Sequence, residues 1–298
     1  MRILLHLALT ATLLLAVIPT AAPAQANSLT HGAEKRRYIV YTPASYPADT
    51  TRKYPVVLNF HGGGMTMAEQ MLYTRMNRTA DAEGFIVVYP QGLQQDWNVG
   101  FGTSYSDGTD DVGFVEALLD QLQRDYRVDG SRIYATGLSR GGFFCQRLAA
   151  ELSHRIAAIA SVGGPLPHPV LEQQKPRGPV LPVGVMLVHG TADQVVAFDG
   201  KPGGYLSAPK TYEYWARRNG ASGEPSATLR IDTDPGDGTS ATLLQTAGTA
   251  SVALITIHDG GHTWAGADPF NVGLPIGSTP QDVDINAVIW RFLASHRL

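Results

Sequence analysis

The sequence predicts an α/β fold in which helices cover both faces of a mostly parallel β-sheet. Short apolar segments of strand length alternate with longer segments of helical periodicity along the chain. Several short segments, such as residues 85–89, are apolar at every position, as is typical of strands buried on both faces. The composition is globular, since 44% of the 298 residues are hydrophobic and 16% are charged.

The first 26 residues have the pattern of a secretory signal peptide. Arg2 provides a positive charge, and an apolar run follows at residues 3–18. This run is shorter than the roughly 20 apolar residues that a membrane span needs. Residues 24–26, Ala-Gln-Ala, form a cleavage site with small residues at its ends. We therefore expect cleavage near Ala26, export to the periplasm or the medium, no stable membrane anchor, and one catalytic domain over residues 27–298.

Strands and helices alternate through this domain. We expect strands at residues 37–41, 54–60, 85–89, 133–136, 156–162, 185–189 and 253–257. We expect helices at residues 68–82, 110–126, 142–152, 210–219 and 284–296. The helix at 110–126 is the clearest, because Val112, Val115, Leu119 and Leu122 repeat on one face. Residues 165–182 are rich in proline and predict a surface excursion, and residues 232–239 predict an exposed hairpin loop.

Charge and cysteine content exclude several classes of protein. The formal net charge is -3, so the chain lacks the basic excess that is typical of nucleic-acid binding. Cys145 is the only cysteine, which excludes an internal disulfide and a cysteine-rich zinc site. We expect no nucleic-acid partner, and the sequence leaves the oligomeric state open.

Ser139 lies in a G-x-S-x-G motif at residues 137–141. A predicted strand ends directly before the motif, and a predicted helix begins directly after it. This is the context of a nucleophilic serine on a sharp turn that lifts the hydroxyl clear of the sheet. Glycines at both ends of the motif avoid collisions with the neighbouring strand and helix. The alternative is a tight turn in which the serine only caps the helix, and the flanking elements favour the nucleophile.

Three glycines follow His61 at the end of the predicted strand 54–60. Glycines let a backbone N–H approach a carbonyl oxygen without an intervening side chain. We expect an oxyanion hole with one donor from Gly63 or its neighbour and a second from the backbone N–H of Arg140. The alternative is an ordinary glycine turn, and we expect His61 to be structural.

Asp193 and His262 follow two later strands, in the order expected for the acid and the base of a catalytic triad. His262 would accept the proton of Ser139, and Asp193 would hold the imidazole in the required tautomer. Asp199 on the same loop is a second candidate for the acid. Asp259 is a weaker one, because it is too close in sequence to His262 to reach around it.

A metal site is the competing interpretation of the histidines. His258 and His262 are four residues apart with an acid between them. Helical geometry is disfavoured across Gly260 and Gly261, and the metalloprotease motif H-E-x-x-H is missing from the sequence. We therefore expect neither a metal nor a cofactor.

Two tryptophans and an asparagine are candidates for substrate binding. Trp97 and Asn98 follow the strand at residues 85–89, and Trp264 follows the predicted base. Indoles at the carboxyl edge of a sheet can stack on an aromatic or a sugar ring. We expect these three residues to bind substrate. The alternative is that at least one indole packs in the core.

Seven motifs occur in one order that resembles the secreted polyhydroxybutyrate depolymerase-like esterases, which are related to feruloyl and acetylxylan esterases. They are HGGG at 61–64, YPQG at 89–92, WN at 97–98, DDVGFV at 110–115, GLSRGG at 137–142, HGTAD at 189–193 and GGHTW at 260–264. The resemblance begins near Arg36 and extends to the C-terminus. It implies an α/β-hydrolase fold and hydrolysis of carboxylic esters through an acyl-enzyme, with Ser139, Asp193 and His262 as the triad.

The sequence departs from this family in places. Asn often follows the family's serine, whereas Arg140 follows it here, and Phe143 and Phe144 replace frequent methionines. We expect soluble hydroxybutyrate oligomers, or feruloyl or acetyl esters of plant polysaccharides, to be substrates rather than crystalline polymer. The alternatives are a serine peptidase of the same fold and a non-catalytic, hydrolase-like binding protein.

Overall fold

A computed structural model describes residues 24–221, 225, 227–233, 235–268 and 276–298. Residues 1–23 of the predicted signal peptide lie outside this part of the chain. Residues 25 and 26 belong to the first strand. Over the described ranges, the structure contains no helix that is both long and apolar enough to cross a membrane.

The described strands form one ten-stranded sheet in the order β1-β2-β4-β3-β5-β6-β7-β10-β9-β8. Their bounds are β1 Gln25–His31, β2 Glu34–Tyr41, β3 Tyr54–Phe60, β4 Ile86–Pro90, β5 Val128–Leu138, β6 Ala158–Val162, β7 Gly184–Gly190, β8 Ala227–Ile231, β9 Ser240–Thr246 and β10 Val252–His258. The six strands from β4 to β10 in this order run parallel. The outer strands on both sides pair antiparallel. The predicted mostly parallel sheet is therefore confirmed at its centre.

Helices cover both faces of the sheet, as predicted. Their bounds are α1 Met67–Thr74, α2 Met76–Glu83, α3 Asp111–Asp125, α4 Arg140–Glu151, α5 His168–Gln173, α6 Ala208–Arg218 and α7 Ile285–Ala294. Helices α3, α4 and α6 pack into one hydrophobic cluster, and α1, α2 and α7 pack into a second on the opposite face. The predicted excursion at 165–182 contains α5, and the predicted hairpin loop connects β8 to β9.

The single helix predicted at residues 68–82 is wrong, because two helices meet at Arg75. This residue has a φ of 49°, which ends α1. The carbonyl oxygen of Thr74 accepts a hydrogen bond from the Asn286 side chain of α7 at 2.7 Å. The Thr74 hydroxyl also donates to the carbonyl of Gln70 at 2.8 Å. A partner distant in sequence thus replaces the next helical hydrogen bond, and local periodicity carries no sign of it.

A buried ion pair joins the antiparallel edge of the sheet to α3. Arg36 on β2 lies 2.7 Å from Oδ1 of Asp111, and both side chains are 1% exposed. The other carboxylate oxygen accepts the backbone N–H of Asn98 at 2.8 Å. The Arg36 guanidinium also lies over the ring of Phe114, 3.9 Å from its centre. This pair therefore connects a strand, a helix and the loop after β4.

Replacing Arg36 with methionine should destabilise the fold by about 3–5 kcal/mol, because it leaves the Asp111 carboxylate buried without its cation. The neighbouring Arg37 is exposed on the same strand, so Arg37→Met is a matched control that should change stability by no more than about 0.5 kcal/mol. Urea unfolding measures both free energies. Equal losses in the two variants would contradict a structural role for the pair.

Candidate active site

Ser139 lies on a strained turn between β5 and α4. Its φ is 55° and its ψ is -117°, a combination that residues other than glycine rarely adopt. A Cβ on Gly141 would collide with the carbonyl oxygen of Phe60, and one on Gly137 would lie 2.7 Å from the carbonyl carbon of Gly141. The Ser139 N–H donates to the carbonyl of Val162 on β6 at 2.8 Å. The glycines thus permit the turn, and the neighbouring strand holds it.

Asp193 follows β7 and is hydrogen-bonded through both carboxylate oxygens. Oδ1 accepts the backbone N–H groups of Val195 at 2.9 Å and Val196 at 2.7 Å. Oδ2 lies 2.6 Å from Nδ1 of His262, and the two side chains are 1% and 6% exposed. His189 places its Nε2 3.4 Å from the same oxygen.

Burial by itself raises the pKa of the Asp193 carboxyl. Hydrogen bonds from His189, His262 and the backbone N–H of Val196 outweigh burial and hold this pKa well below its usual range. Asp193 is therefore an ionised acceptor. It places the proton of a neutral His262 imidazole on Nδ1, which leaves Nε2 as the acceptor.

His262 lies on the loop that joins β10 to α7. Its backbone N–H donates to the carbonyl of Ile276 at 2.5 Å, and the preceding Gly261 donates to Ser278 at 2.9 Å. Gly163 lies against the imidazole ring, since a Cβ built on it would be 3.0 Å from both Cε1 and Nδ1 of His262. The ring is thus held between the Asp193 carboxylate and the backbone that follows β6.

The other candidates for the acid, and the competing metal site, fit the structure less well. Asp199 and Asp259 are exposed, whereas Asp193 is buried and contacts the imidazole. His258 points its Nε2 to the hydroxyl of Thr242 at 2.8 Å. Among the described residues, no group of three or more histidine, cysteine or acidic side chains is arranged to hold a metal ion.

Ser139 and His262 line a common cavity of about 590 Å³. Gly63 and Arg140 also line it. Within the described part of the chain, neither backbone N–H of these two residues donates a hydrogen bond. Both donors are therefore available to a bound oxygen, as an oxyanion hole requires.

His61 stabilises the glycine loop through hydrogen bonds at both ring nitrogens. Its Nε2 accepts the backbone N–H of Gly92 at 2.9 Å, and its Nδ1 donates to the carbonyl of Gly62 at 2.8 Å. Burial lowers the pKa of His61, so the ring stays neutral and keeps one acceptor nitrogen. This arrangement agrees with the structural role that the sequence predicts.

The structure places Trp97, Asn98 and Trp264, the predicted substrate-binding residues, beneath the loops rather than in the cavity wall. The two tryptophans are 1% exposed and the asparagine 4%, and all three lie outside the cavity lining. Trp97 donates from Nε1 to the carbonyl of His61 at 3.0 Å, and Trp264 donates from Nε1 to Asn286 at 3.0 Å. The two indoles pack beneath the loops, which buries their large apolar area.

Three other aromatic side chains form a wall of the cavity. Phe143 lies in the first turn of α4 after Ser139, and its ring centre is 5.2 Å from those of Phe101 and Tyr205. This wall was not predicted from the sequence. The spacing of Phe143 from the serine, one helical turn, is a signal that could have identified it. No comparable signal marks Phe101 and Tyr205, which come from separate loops.

Comparisons with known proteins find esterases among the proteins that this chain resembles. Residues 37–167 match the protein family described as Esterase PHB depolymerase. NocK from Nocardia uniformis subsp. tsuyamanensis, which is named as an esterase, is 34% identical over 231 residues, 71% of this chain and 66% of that protein. Feruloyl esterase B from Piromyces equi is 29% identical over 243 residues, 76% of this chain and 42% of that protein. The chain thus spans less than two thirds of the length of these relatives.

A solved structure shares the fold. The acetyl xylan esterase from Aspergillus awamori superposes with a TM-score of 0.60 at 17% sequence identity, over 80% of this chain and 94% of that one. The family match covers Ser139 and the glycine loop after β3. Asp193 and His262 lie beyond the matched residues, so their assignment rests on the geometry described above.

The lowered pKa of Asp193 predicts a pH-dependent effect of Asp193→Asn. A carboxylate with a depressed pKa stabilises the fold above the ordinary aspartate value of about 3.9, and this contribution is lost as the pH falls below that value. The loss of stability caused by Asp193→Asn should therefore be largest near pH 7 and shrink below about pH 5. Urea unfolding at several pH values measures it.

Asp199→Asn removes the same charge from an exposed position of the same loop. It should change the free energy of unfolding by no more than about 0.5 kcal/mol at neutral pH. A difference between wild type and Asp193→Asn that stays constant from pH 7 to pH 3 would contradict the ionised state assigned to Asp193.

Proposed function

Because this chain belongs to the polyhydroxybutyrate depolymerase-like esterases of the α/β-hydrolase superfamily, we propose that it hydrolyses carboxylic esters through an acyl-enzyme. The observation that carries the proposal is the 2.6 Å contact between Asp193 and His262, beside a cavity that Ser139 also lines. A buried carboxylate that orients an imidazole near a strained serine is the arrangement that activates a hydroxyl as a nucleophile.

In this mechanism, Ser139 attacks the ester carbonyl while Nε2 of His262 accepts the hydroxyl proton. The imidazolium donates that proton to the leaving alcohol, and an acyl-serine remains. His262 then removes a proton from water, which attacks the acyl carbon. The bond to Oγ of Ser139 breaks, the imidazolium returns the proton to this oxygen, and the acid is released. The backbone N–H groups of Gly63 and Arg140 hold the carbonyl oxygen as it gains negative charge.

The cavity suits esters with apolar or aromatic acyl groups. A volume of about 590 Å³ lies within the range of small-molecule sites, and the wall of Phe101, Phe143 and Tyr205 can contact a ring edge or face. Candidate substrates are feruloyl and acetyl esters of plant polysaccharides and oligomers of hydroxybutyrate. The relationship to a protein named feruloyl esterase B supports the first of these.

We also propose that the protein is exported and acts without metal or cofactor. Cleavage near Ala26 would remove the first two residues of β1 and leave five that pair with β2. The proposed partner is the ester substrate alone, and the proposal involves neither nucleic acid nor a stable membrane anchor.

A fluorophosphonate probe should label Ser139. Ser139→Ala should abolish labelling and lower kcat by about 10⁶-fold, the scale seen when another serine hydrolase loses its nucleophile.

Aryl, feruloyl, acetyl and 3-hydroxybutyrate esters, with peptides as a parallel series, would identify the substrate class. Prolonged EDTA treatment should leave the rates unchanged.

The outcomes of this experiment separate the alternatives. Hydrolysis of peptides but not of esters would indicate a serine peptidase of the same fold. Wild-type protein that neither reacts with the probe nor hydrolyses any substrate would indicate a non-catalytic binding protein. Loss of activity in EDTA that zinc restores would revive the metal interpretation of His258 and His262.

Gly163→Ala should lower kcat by about 10- to 100-fold, because a Cβ 3.0 Å from two ring atoms displaces the imidazole of His262. Gly203→Ala is the matched control. Both glycines have a positive φ, 58° and 69°, but Gly203 has no atom within 4 Å of the added Cβ. Both variants should lose the stability that a positive φ costs a residue with a side chain, and only Gly163→Ala should lose activity. Equal kcat values would contradict the proposed contact.

A further inference from the structure

The cavity beside Ser139 contains one permanent positive charge. Among its described lining residues, Arg140 is the only lysine or arginine, and none is an aspartate or a glutamate. Most of the other residues are glycines or have apolar or aromatic side chains. The acid nearest to this cation, Asp96, lies outside the described lining residues and contacts the guanidinium from there.

The stability of α4 does not explain an arginine at this position. Arg140 is the first residue of the helix, where the macrodipole favours acids and disfavours cations. A carboxylate outside the helix compensates, since Oδ1 of Asp96 lies 2.8 Å from Nε of Arg140. The same oxygen accepts the backbone N–H of Trp97 at 2.8 Å, which fixes the carboxylate on its own loop. The ion pair with Asp96 therefore holds the Arg140 side chain in place.

The N–H groups on the two terminal nitrogens of the guanidinium donate no hydrogen bond to the described part of the chain. Apart from the ion pair with Asp96, no residue in the described part of the chain pairs with this group. Its Cζ lies 5.1 Å from the ring centre of Phe101, another lining residue, and the side chain is 23% exposed. A guanidinium with free terminal N–H groups matches the geometry of a carboxylate.

We propose that the Arg140 guanidinium binds a carboxylate of the substrate, so that the site prefers esters that carry a free carboxylate. This inference rests on the proposed esterase function and specifies its substrate class. The carboxylate can belong to the acyl part, as in a half-ester of a dicarboxylic acid. It can also belong to the alcohol part, as in the ester of a hydroxy acid. Both sources present the same group to Arg140.

Two pairs of esters test the proposal and distinguish the sources. p-Nitrophenyl hemisuccinate and p-nitrophenyl butyrate differ in a carboxylate on the acyl part. 3-Butyryloxybutanoate and its carboxamide differ in a carboxylate on the alcohol part. In each pair, the ratio of kcat/KM for the charged ester to that for the neutral one is measured in wild type and in Arg140→Gln. The ratio cancels general effects on Ser139, because these effects change the rates of both esters in a pair equally. The substitution also keeps the backbone N–H of residue 140.

We expect the ratio to fall about tenfold in at least one pair, which corresponds to ~1.4 kcal/mol. The pair that responds identifies the source of the carboxylate. Arg140→Lys keeps the charge but loses the forked donors, so its ratio should be intermediate. Added salt should reduce the wild-type ratio, because the group is partly exposed.

Arg217→Gln is the control for net charge. Its side chain is 71% exposed on α6 and lies outside the cavity lining, so both ratios should stay at wild-type values. Calorimetric binding of succinate provides a readout that needs no turnover, and Arg140→Gln should weaken this binding about tenfold.

Unchanged ratios and unchanged succinate binding in Arg140→Gln would overturn the inference, while hydrolysis of the neutral esters would still support the proposed function. If wild type hydrolyses no ester, the proposed function fails and the succinate measurement alone decides the role of Arg140.

Discussion

The site depends on a carboxylate that is buried and yet ionised. A buried charge is costly unless several donors surround it, and Asp193 has them. The N–H groups of Val195 and Val196 bend the loop after β7 around Oδ1, while His189 and His262 approach Oδ2. One requirement of physical chemistry, the satisfaction of this charge, therefore fixes the course of a loop and the orientation of the imidazole.

The aromatic residues near the carboxyl edge of the sheet fall into two groups, buried rings that support the loops and rings that line the cavity. Trp97 and Trp264 are buried and donate hydrogen bonds that hold the oxyanion loop and α7 in place. Phe101, Phe143 and Tyr205 line the cavity instead. The two supporting rings are buried in loops, whereas the lining rings come from α4 and from two separate loops. For the proposed esterase, the lining rings can thus vary while the buried rings that support the site stay in place.

The buried centre of the fold could be predicted from sequence, whereas its edges could not. The strand at residues 54–60 has the predicted bounds, because a strand covered on both faces is apolar at nearly every position. Strands β1, β8 and β9 were missed, since they carry few buried apolar residues and their pairing is decided by distant partners. Ser139, Asp193 and His262 could be proposed because local motifs mark them. The positions of Trp97 and Phe101 depend on tertiary packing, which local motifs do not encode.

The pairing of strand β1 constrains the order in which the sheet edge can fold and the chain can be cleaved near Ala26. In the folded sheet, Gln25 and Ala26 pair with Val40 and Ile39. A peptidase that cuts near Ala26 needs these same residues as an unpaired, extended segment, so a completed sheet and an accessible cleavage site exclude each other. If the leader is cleaved near Ala26, as proposed, its removal must therefore precede closure of this edge, and a precursor that folded too early would resist cleavage.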